Sequence, residues 1–397
     1  MKIGILTLHS QVNYGGVLQA YALQEVLKGL GHDVVVIDRW MDEYNATLRG
    51  ITASRSIRGW VKFIGRALLG FGDGADYIRH VRTAKILPSL LKLTPYHFYH
   101  WEDAPNDLGV DVIIVGSDQV WNPDIQGETL PYLLAGAPAV PAIAYAASFG
   151  AIKLPKCLID RYREGLKRFE YIGVREIEAV RIVESLESKA EHVVDPTLLA
   201  DEKIWKRFLS SPRNSPRRKL VCYFINYPLG FVISILSRFS KEENCDIEVF
   251  FGGPCSVLPS SFLDLLKISS GNIRALLTLG IHIRMTATPN EFVNAVAFAD
   301  MVLTDSFHAL MFSTIFRKDI RVLSPIDGRG VAGFARLREF CDSFINGCVI
   351  YSDIESALRS FNKGGVLSYM EKALSSKIEF SRYWIQCKIS DLSRLNK

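Results

Sequence analysis

The chain has 397 residues, 48% hydrophobic and 22% charged, with a formal net charge of +5. At roughly 100–200 residues per domain this length predicts two or three domains, and with only 29 Gly and 16 Pro the composition excludes disorder, collagen-like repeats and coiled coil. The small basic excess carries no Lys/Arg-rich tail; it suits acidic substrates or an anionic membrane face and falls short of a nucleic-acid footprint.

The first forty residues read as strand, loop, helix and strand. Ile3, Ile5, Leu6 and Leu8 predict a buried parallel strand. A polar, glycine-bearing loop follows from His9 to Gly16. Val17, Ala20, Tyr21, Leu23, Leu27 and Leu30 then recur at helical spacing, with Gly31 as C-cap. Val34 to Ile37 make a second strand. This βαβ opening predicts a doubly wound sheet. Residues from about 41 to 109 break the rhythm and are expected to form a helical insertion. Within it, Arg55, Arg58, Lys62 and Arg66 share one helical face, and Ile57, Trp60, Val61, Ile64 and Leu68 another. That stretch reads either as a helix packed on the body with a solvated basic face, or as a contact with anionic lipid or a carrier diphosphate.

The alternation resumes with strands over 110–115, 142–147, 171–174 and 192–194 and helices over 157–169 and 176–186. Ser210 to Lys219 is polar and basic and holds Pro212 and Pro216, which marks a domain boundary. The expected division is a first Rossmann-like domain over 1–210 and a second over 211–397. In the second, strands are expected over 220–225, 247–251, 301–303 and 320–323. Helices are expected over 291–298, 307–316 and 333–340, followed by a helical tail from Leu367 to Asp391. Two such α/β domains predict a cleft between the carboxyl ends of two parallel sheets.

The seven Cys (Cys157, Cys222, Cys245, Cys255, Cys341, Cys348 and Cys387) are odd in number and form no Cys-x-x-Cys. They read as reduced thiols of a cytosolic protein, without a disulfide or zinc framework. Met1 to Leu8 is too short for a signal peptide, and Leu133 to Ala147 is too short and proline-broken to span a bilayer.

Six segments at strand ends carry candidate chemistry. Asn13-Tyr14-Gly15-Gly16 precedes a helix, where backbone N–H groups and the helix dipole favour an anion; the bland alternative is a glycine turn. Val115 to Pro123 delivers Gly116, Ser117, Asp118, Gln119, Trp121 and Asn122 to the cleft rim. That mix suits sugar hydroxyls and a sugar's C–H face, unless it is a capped turn with Trp121 in the core. Ala147-Ser148-Phe149-Gly150 is a third strand-end loop. Arg175, at the end of Tyr171 to Val174, is placed to hold a carboxylate or phosphate, or to pair with Glu176 or Glu178. Asp195 in Val194-Asp195-Pro196-Thr197 bonds a hydroxyl or caps a turn. Thr304-Asp305-Ser306-Phe307-His308 ends a strand and opens a helix. There Ser306 caps or meets a phosphate, and His308 sits where an imidazole binds an anion or moves a proton.

Taken in order, N-Y-G-G-V-L-Q-A-Y-A-L-Q, V-G-S-D-Q-V-W-N-P, A-S-F-G, V-R-E, V-D-P-T and T-D-S-F-H-A-L-M-F-S resemble the polysaccharide pyruvyl transferase family. The resemblance covers roughly residues 1–40 and 110–345. It implies a glycosyltransferase-B-like fold and transfer of pyruvate from phosphoenolpyruvate to a sugar, forming a cyclic ketal in bacterial surface polysaccharide. His308 matches the family's key histidine, and Arg336 resembles its later arginine. Many members have Arg-Leu-His where this chain has Ser306-Phe307-His308, so the phosphate-binding arginine falls among Arg175, Arg329, Arg336 and Arg338. The resemblance therefore implies His308 and Asp118 as catalytic groups. Ser306, Thr304, Arg175 and Arg336 are expected on the donor side. Asn13, Tyr14, Gly15, Ser117, Gln119, Trp121 and Asn122 are expected on the acceptor side. No metal or cofactor is expected beyond phosphoenolpyruvate as donor substrate. The expected acceptor is a saccharide, lipid-diphosphate-linked, met in the cytoplasm or at the inner membrane face; nucleic acid is not an expected partner. A nucleotide-sugar glycosyltransferase on the same fold, or a saccharide-binding protein without activity, are the competing readings.

Overall fold

The computed structural model describes residues 1–9, 13–40, 72–127, 130–150, 153–210, 216–227, 229–252, 280–326, 331–361 and 368–395. The amphipathic stretch 55–68, Arg329, Cys255 and the middle of the linker, 211–215, lie outside the described residues.

The first sheet contains β1 (Lys2–Leu6), β2 (Asp33–Arg39), β3 (Leu93–Phe98), β4 (Val112–Val115), β5 (Ala142–Ala147), β6 (Tyr171–Val174) and β7 (Glu191–His192). Its order is β3-β2-β1-β4-β5-β6-β7, and every pair is parallel. The second sheet contains β8 (Lys219–Phe224), β9 (Asp246–Phe251), β10 (Ile281–Ile283), β11 (Met301–Thr304), β12 (Asp319–Leu323) and, after the short β13 (Ile345–Asn346), β14 (Ile350–Tyr351). Its order is β10-β9-β8-β11-β12-β14, again all parallel. β13 pairs antiparallel with β15 (Ser368–Tyr369) outside both sheets. The central strands β4, β5 and β11 are buried along their whole length. That is why they read as unbroken apolar runs: a parallel sheet is covered on both faces.

Each sheet changes direction of growth at one place, between β1 and β4 in the first and between β8 and β11 in the second. Strands on either side of these points end level, Leu6 beside Val115 and Thr304 beside Tyr223. Loops leaving such a pair diverge to opposite sides and open a crevice, where ligands bind in this class of sheet.

Two expectations change. The insertion over 41–109 is not wholly helical: after the helix Gly72–Leu90, β3 joins the sheet edge beside β2. The tail, assigned to the second domain, is the helix Glu371–Leu395, and it also packs back on the first. There Ser381 Oγ accepts from the Val194 N–H at 3.0 Å, and Trp384 lies 6.1 Å from the Tyr145 ring.

Apolar burial joins the domains. One cluster runs from Ile3, Tyr14 and Val17 through Val221, Phe250 and Phe292 to Phe312. Arg82 adds a polar tie, donating to Thr286 O at 2.7 Å and pairing with Glu291 at 3.0 Å. Glu291 also completes a capping box with Thr288 at the start of the helix Pro289–Ala297. Among the described residues no helix is long and apolar enough to cross a membrane.

Candidate active site

The loops from both crevices face one cavity of about 460 Å³, within the range of small-ligand sites. Asn13, Asp118, Gln119, Asn122 and Gly150 line it from the first domain, and Asn226, Asp305, Ser306, His308 and Arg336 from the second. Local rules explain the placement. Asn13 caps the helix Tyr14–Gly29, its Oδ1 accepting from the Gly15 N–H at 2.9 Å. Ser306 caps the helix Phe307–Ile315. Gly333 and Phe334 bring the first turn of the helix Val331–Phe344 to the same space. Three helix N-termini thus converge on the cavity, each favouring negative charge.

His308 is buried against the opposite domain. A Cβ on Gly15 would overlap its Nδ1, Cγ and Cε1, so only glycine leaves room for the ring. Nε2 has no hydrogen-bond partner among the described residues and lies 3.9 Å from Asp195 Oδ2. Burial pushes the imidazole pKa below its ordinary value, and Arg175 and Arg336 push the same way against the pull of Asp118 and Asp195. The neutral ring is therefore the form present near pH 7. Asp195 keeps its charge despite burial: with His308 neutral, the Arg175 charge and the Thr197 N–H and hydroxyl are what lower its pKa.

The two arginines differ. Arg175 is caged by carboxylates: Asp195 at 3.0 Å, Glu176 at 3.1 Å and Asp118 at 3.6 Å. Arg336 Nε has no hydrogen bond among the described residues, with Glu176 only at 4.0 Å. Burial, then the nearby Arg175 charge, lowers the Arg336 pKa to about 10, so the group stays cationic and underpaired. Both guanidiniums lie over the Phe307 ring, Arg175 at 4.7 Å and Arg336 at 5.7 Å from its centroid. Stacking on an aromatic face suits a weakly hydrated guanidinium.

Several expected site residues take other roles. Trp121 is not a sugar platform: it is fully buried, 5.3 Å from Phe149 and 5.5 Å from Phe169, with Nε1 donating to Tyr132 O at 3.2 Å. Its strand-end turn points the indole into the core of the first domain. Thr304 is not a donor ligand: it is fully buried, with its hydroxyl on Tyr223 O at 2.6 Å. Tyr14 stacks on Phe292 and does not line the cavity. Ser117 is buried, donating to Ala146 O at 3.1 Å and Asp195 Oδ2 at 3.2 Å. Gly15 seats His308. Arg175 is occupied as above and lies outside the cavity lining. Gln119 and Asn122 do line it, joined by a 2.7 Å hydrogen bond from Asn122 Nδ2 to Gln119 Oε1. A Cβ on Gly150, at φ +60, would collide with that pair.

Asn226 and Asp305 were not among the expected site residues. Asp305 accepts from the Ile225 and Asn226 N–H groups at 2.7 and 2.8 Å and from Asn226 Nδ2 at 3.1 Å. It thereby ties the loop after β8 to the loop after β11. Burial still pushes its carboxyl pKa up. The signal for Asn226 was its place just beyond the first strand of the second sheet, where Asn13 follows the first strand of the first.

With this geometry in place, comparison with known proteins decides the family. The family profile described as polysaccharide pyruvyl transferase matches residues 13–325. The chain belongs to the polysaccharide pyruvyl transferase family. The matched span begins at Asn13 and includes His308, so this pyruvyl transferase has cavity residues of both domains within the family region, while Gly333, Phe334 and Arg336 of the lining lie beyond it. No curated protein matches the chain. Among solved structures, it is similar to UDP-GlcNAc 2-epimerase from Methanocaldococcus jannaschii, at 12% identity and TM-score 0.51, over 97% of this chain and 99% of that one. It is also similar to a UDP-N-acetylglucosamine 2-epimerase at 10% identity and TM-score 0.50, over 91% of this chain and 86% of the other. These likenesses establish for the pyruvyl transferase a two-domain, glycosyltransferase-B-like fold.

Proposed function

We propose that this chain moves the pyruvyl group of phosphoenolpyruvate onto two hydroxyls of one saccharide, closing a cyclic ketal during synthesis of a bacterial surface polysaccharide. The observation that carries the reading is the meeting of His308, underpaired Arg336 and three helix N-termini at one cavity, opposite a row of amides and carboxylates. Phosphoenolpyruvate brings a carboxylate and a phosphate, which require a guanidinium fork and backbone donors. The amides of Gln119, Asn122 and Asn13, with the Asp118 carboxylate, suit sugar hydroxyls.

In this reaction the methylene carbon gains a proton and C2 is attacked by the first hydroxyl. The C2–O bond to phosphate breaks with its electrons leaving on phosphate, and the second hydroxyl then adds to C2. Of the two hydroxyl protons, one ends on the new methyl group and one on phosphate. His308, neutral near pH 7, takes a hydroxyl proton and passes it on; Asp118 shares the proton transfers and orients the acceptor. Arg336 and Ser306 hold the anion. A lipid-diphosphate-linked saccharide, met at the inner membrane face, is the acceptor in this proposal.

The test is phosphate release from phosphoenolpyruvate with free and lipid-linked saccharides, and mass analysis for a product heavier by one pyruvate less one water. His308→Ala is expected to lower kcat/KM by roughly 10²–10⁴-fold, and Arg336→Lys to raise KM for phosphoenolpyruvate. Nucleotide release from a sugar donor, with none from phosphoenolpyruvate, would replace this reading with a glycosyltransferase. Glycan binding with neither reaction would replace it with a saccharide-binding protein.

A further inference from the structure

The first turns of two helices interlock across the domain boundary. Tyr14 reaches from the first domain into the second, its ring stacked on Phe292 at 5.1 Å and 11° and lying 5.5 Å from Tyr223. One residue later the direction reverses, and the His308 ring occupies the space where a Gly15 side chain would stand. The backbone at Gly15 does not itself call for glycine. It lies within a helix capped by Asn13, and its φ is not in the left-handed region. A helical glycine without that need costs stability relative to alanine. The absent side chain is accounted for by the imidazole. His308 is 6% exposed and has little freedom to give way.

We propose that Gly15 is the positioning residue for His308: the seat exists only while Tyr14 is docked in the second domain, so the imidazole is aligned for proton transfer only with the domains together. The inference rests on the reading of His308 as a proton-transfer group. A methyl on Gly15 forces either the ring or the domain contact to move, and a shift near 1 Å can cost about a hundredfold in rate.

The test compares the wild-type chain, Gly15→Ala, His308→Ala and the double variant by thermal unfolding, and the first two also by steady-state kinetics with phosphoenolpyruvate. Gly15→Ala is expected to lower Tm when His308 is present. In the His308→Ala background it is expected to leave Tm unchanged or raise it, because alanine then gains its helix preference without a clash. In the wild-type background kcat is expected to fall by about a hundredfold with a smaller change in KM. If Gly15→Ala fails to fold, the double variant is expected to fold, since the colliding ring is gone. An equal Tm change in both backgrounds, failure of both variants to fold, or wild-type kcat in Gly15→Ala would overturn the proposal. Absence of any turnover by the wild-type chain would count against the functional reading, and the thermal comparison would still decide the seat.

Discussion

Three carboxylates surround the buried guanidinium of Arg175, and two imidazoles beside that cage are held toward neutral. His308 is one. The other is His192, whose Nε2 lies 3.1 Å from Arg175 O. Burial, with the Lys377 charge adding to it, lowers the His192 pKa to about 4. An unfolded histidine titrates near 6.5. Between those values the unfolded chain binds the proton and the folded chain does not, so stability falls as pH drops. At pH above about 6.5 the effect is absent; below about 4 it is complete. His192→Gln is therefore expected to lose less stability than the wild-type chain when urea unfolding is compared at pH near 7 and near 5. Equal losses would mean that His192 is not held neutral. Single residues of the site were legible where their neighbours in sequence fix them. Ser306 and His308 follow a strand and open a helix, which leaves few places for either side chain. Trp121 was not legible in this way. An indole is equally suited to a sugar ring and to a core, and the choice depends on Phe149 and Phe169, which are distant in sequence.

Among elements, the turn after β4 divides its side chains between two tasks. Asp118, Gln119 and Asn122 face the cavity, and Trp121 anchors the turn from behind. Trp121→Ala is expected to cost about 3–5 kcal/mol, as large aromatic truncations in cores do. Trp121→Phe is expected to cost less and to leave KM for the saccharide unchanged. A raised saccharide KM in Trp121→Phe with unchanged stability would return the indole to the binding site. The strands missed in sequence share a physical cause. β3 is an edge strand that alternates exposed with buried residues and contains Pro95. β10 has three residues, and β13, β14 and β15 two each. Edge and very short strands carry no long apolar run, because they are covered on fewer sides. The central strands, buried on both faces, declared themselves.

At the scale of the whole molecule, two domains meet through a continuous apolar cluster, and the tail helix fastens that arrangement from outside. Sequence pattern predicted that the tail is helical; it carried no information on which surface that helix meets. The answer lies in Ser381, Trp384 and the buried Ile385 and Ile389. A Cβ on Gly173, within β6, would come within 3.1 Å of the Trp384 ring, so a glycine in the first sheet makes room for an indole from the far end of the chain. Arg382 adds a hydrogen bond to Leu199 O at 2.6 Å and an ion pair to Asp201 at 2.9 Å, but both are near the surface and worth little. Burial of the indole is the larger effect. Trp384→Ala is expected to destabilise the chain by about 3–5 kcal/mol, although it removes nothing from the cavity. Because the apolar cluster crosses both domains, the loss is expected to appear as one earlier transition in urea, with protease cuts in residues 1–210 and 216–361 developing together. Early cutting confined to the first domain would show that the two halves unfold separately, and that the shared cluster does not couple them.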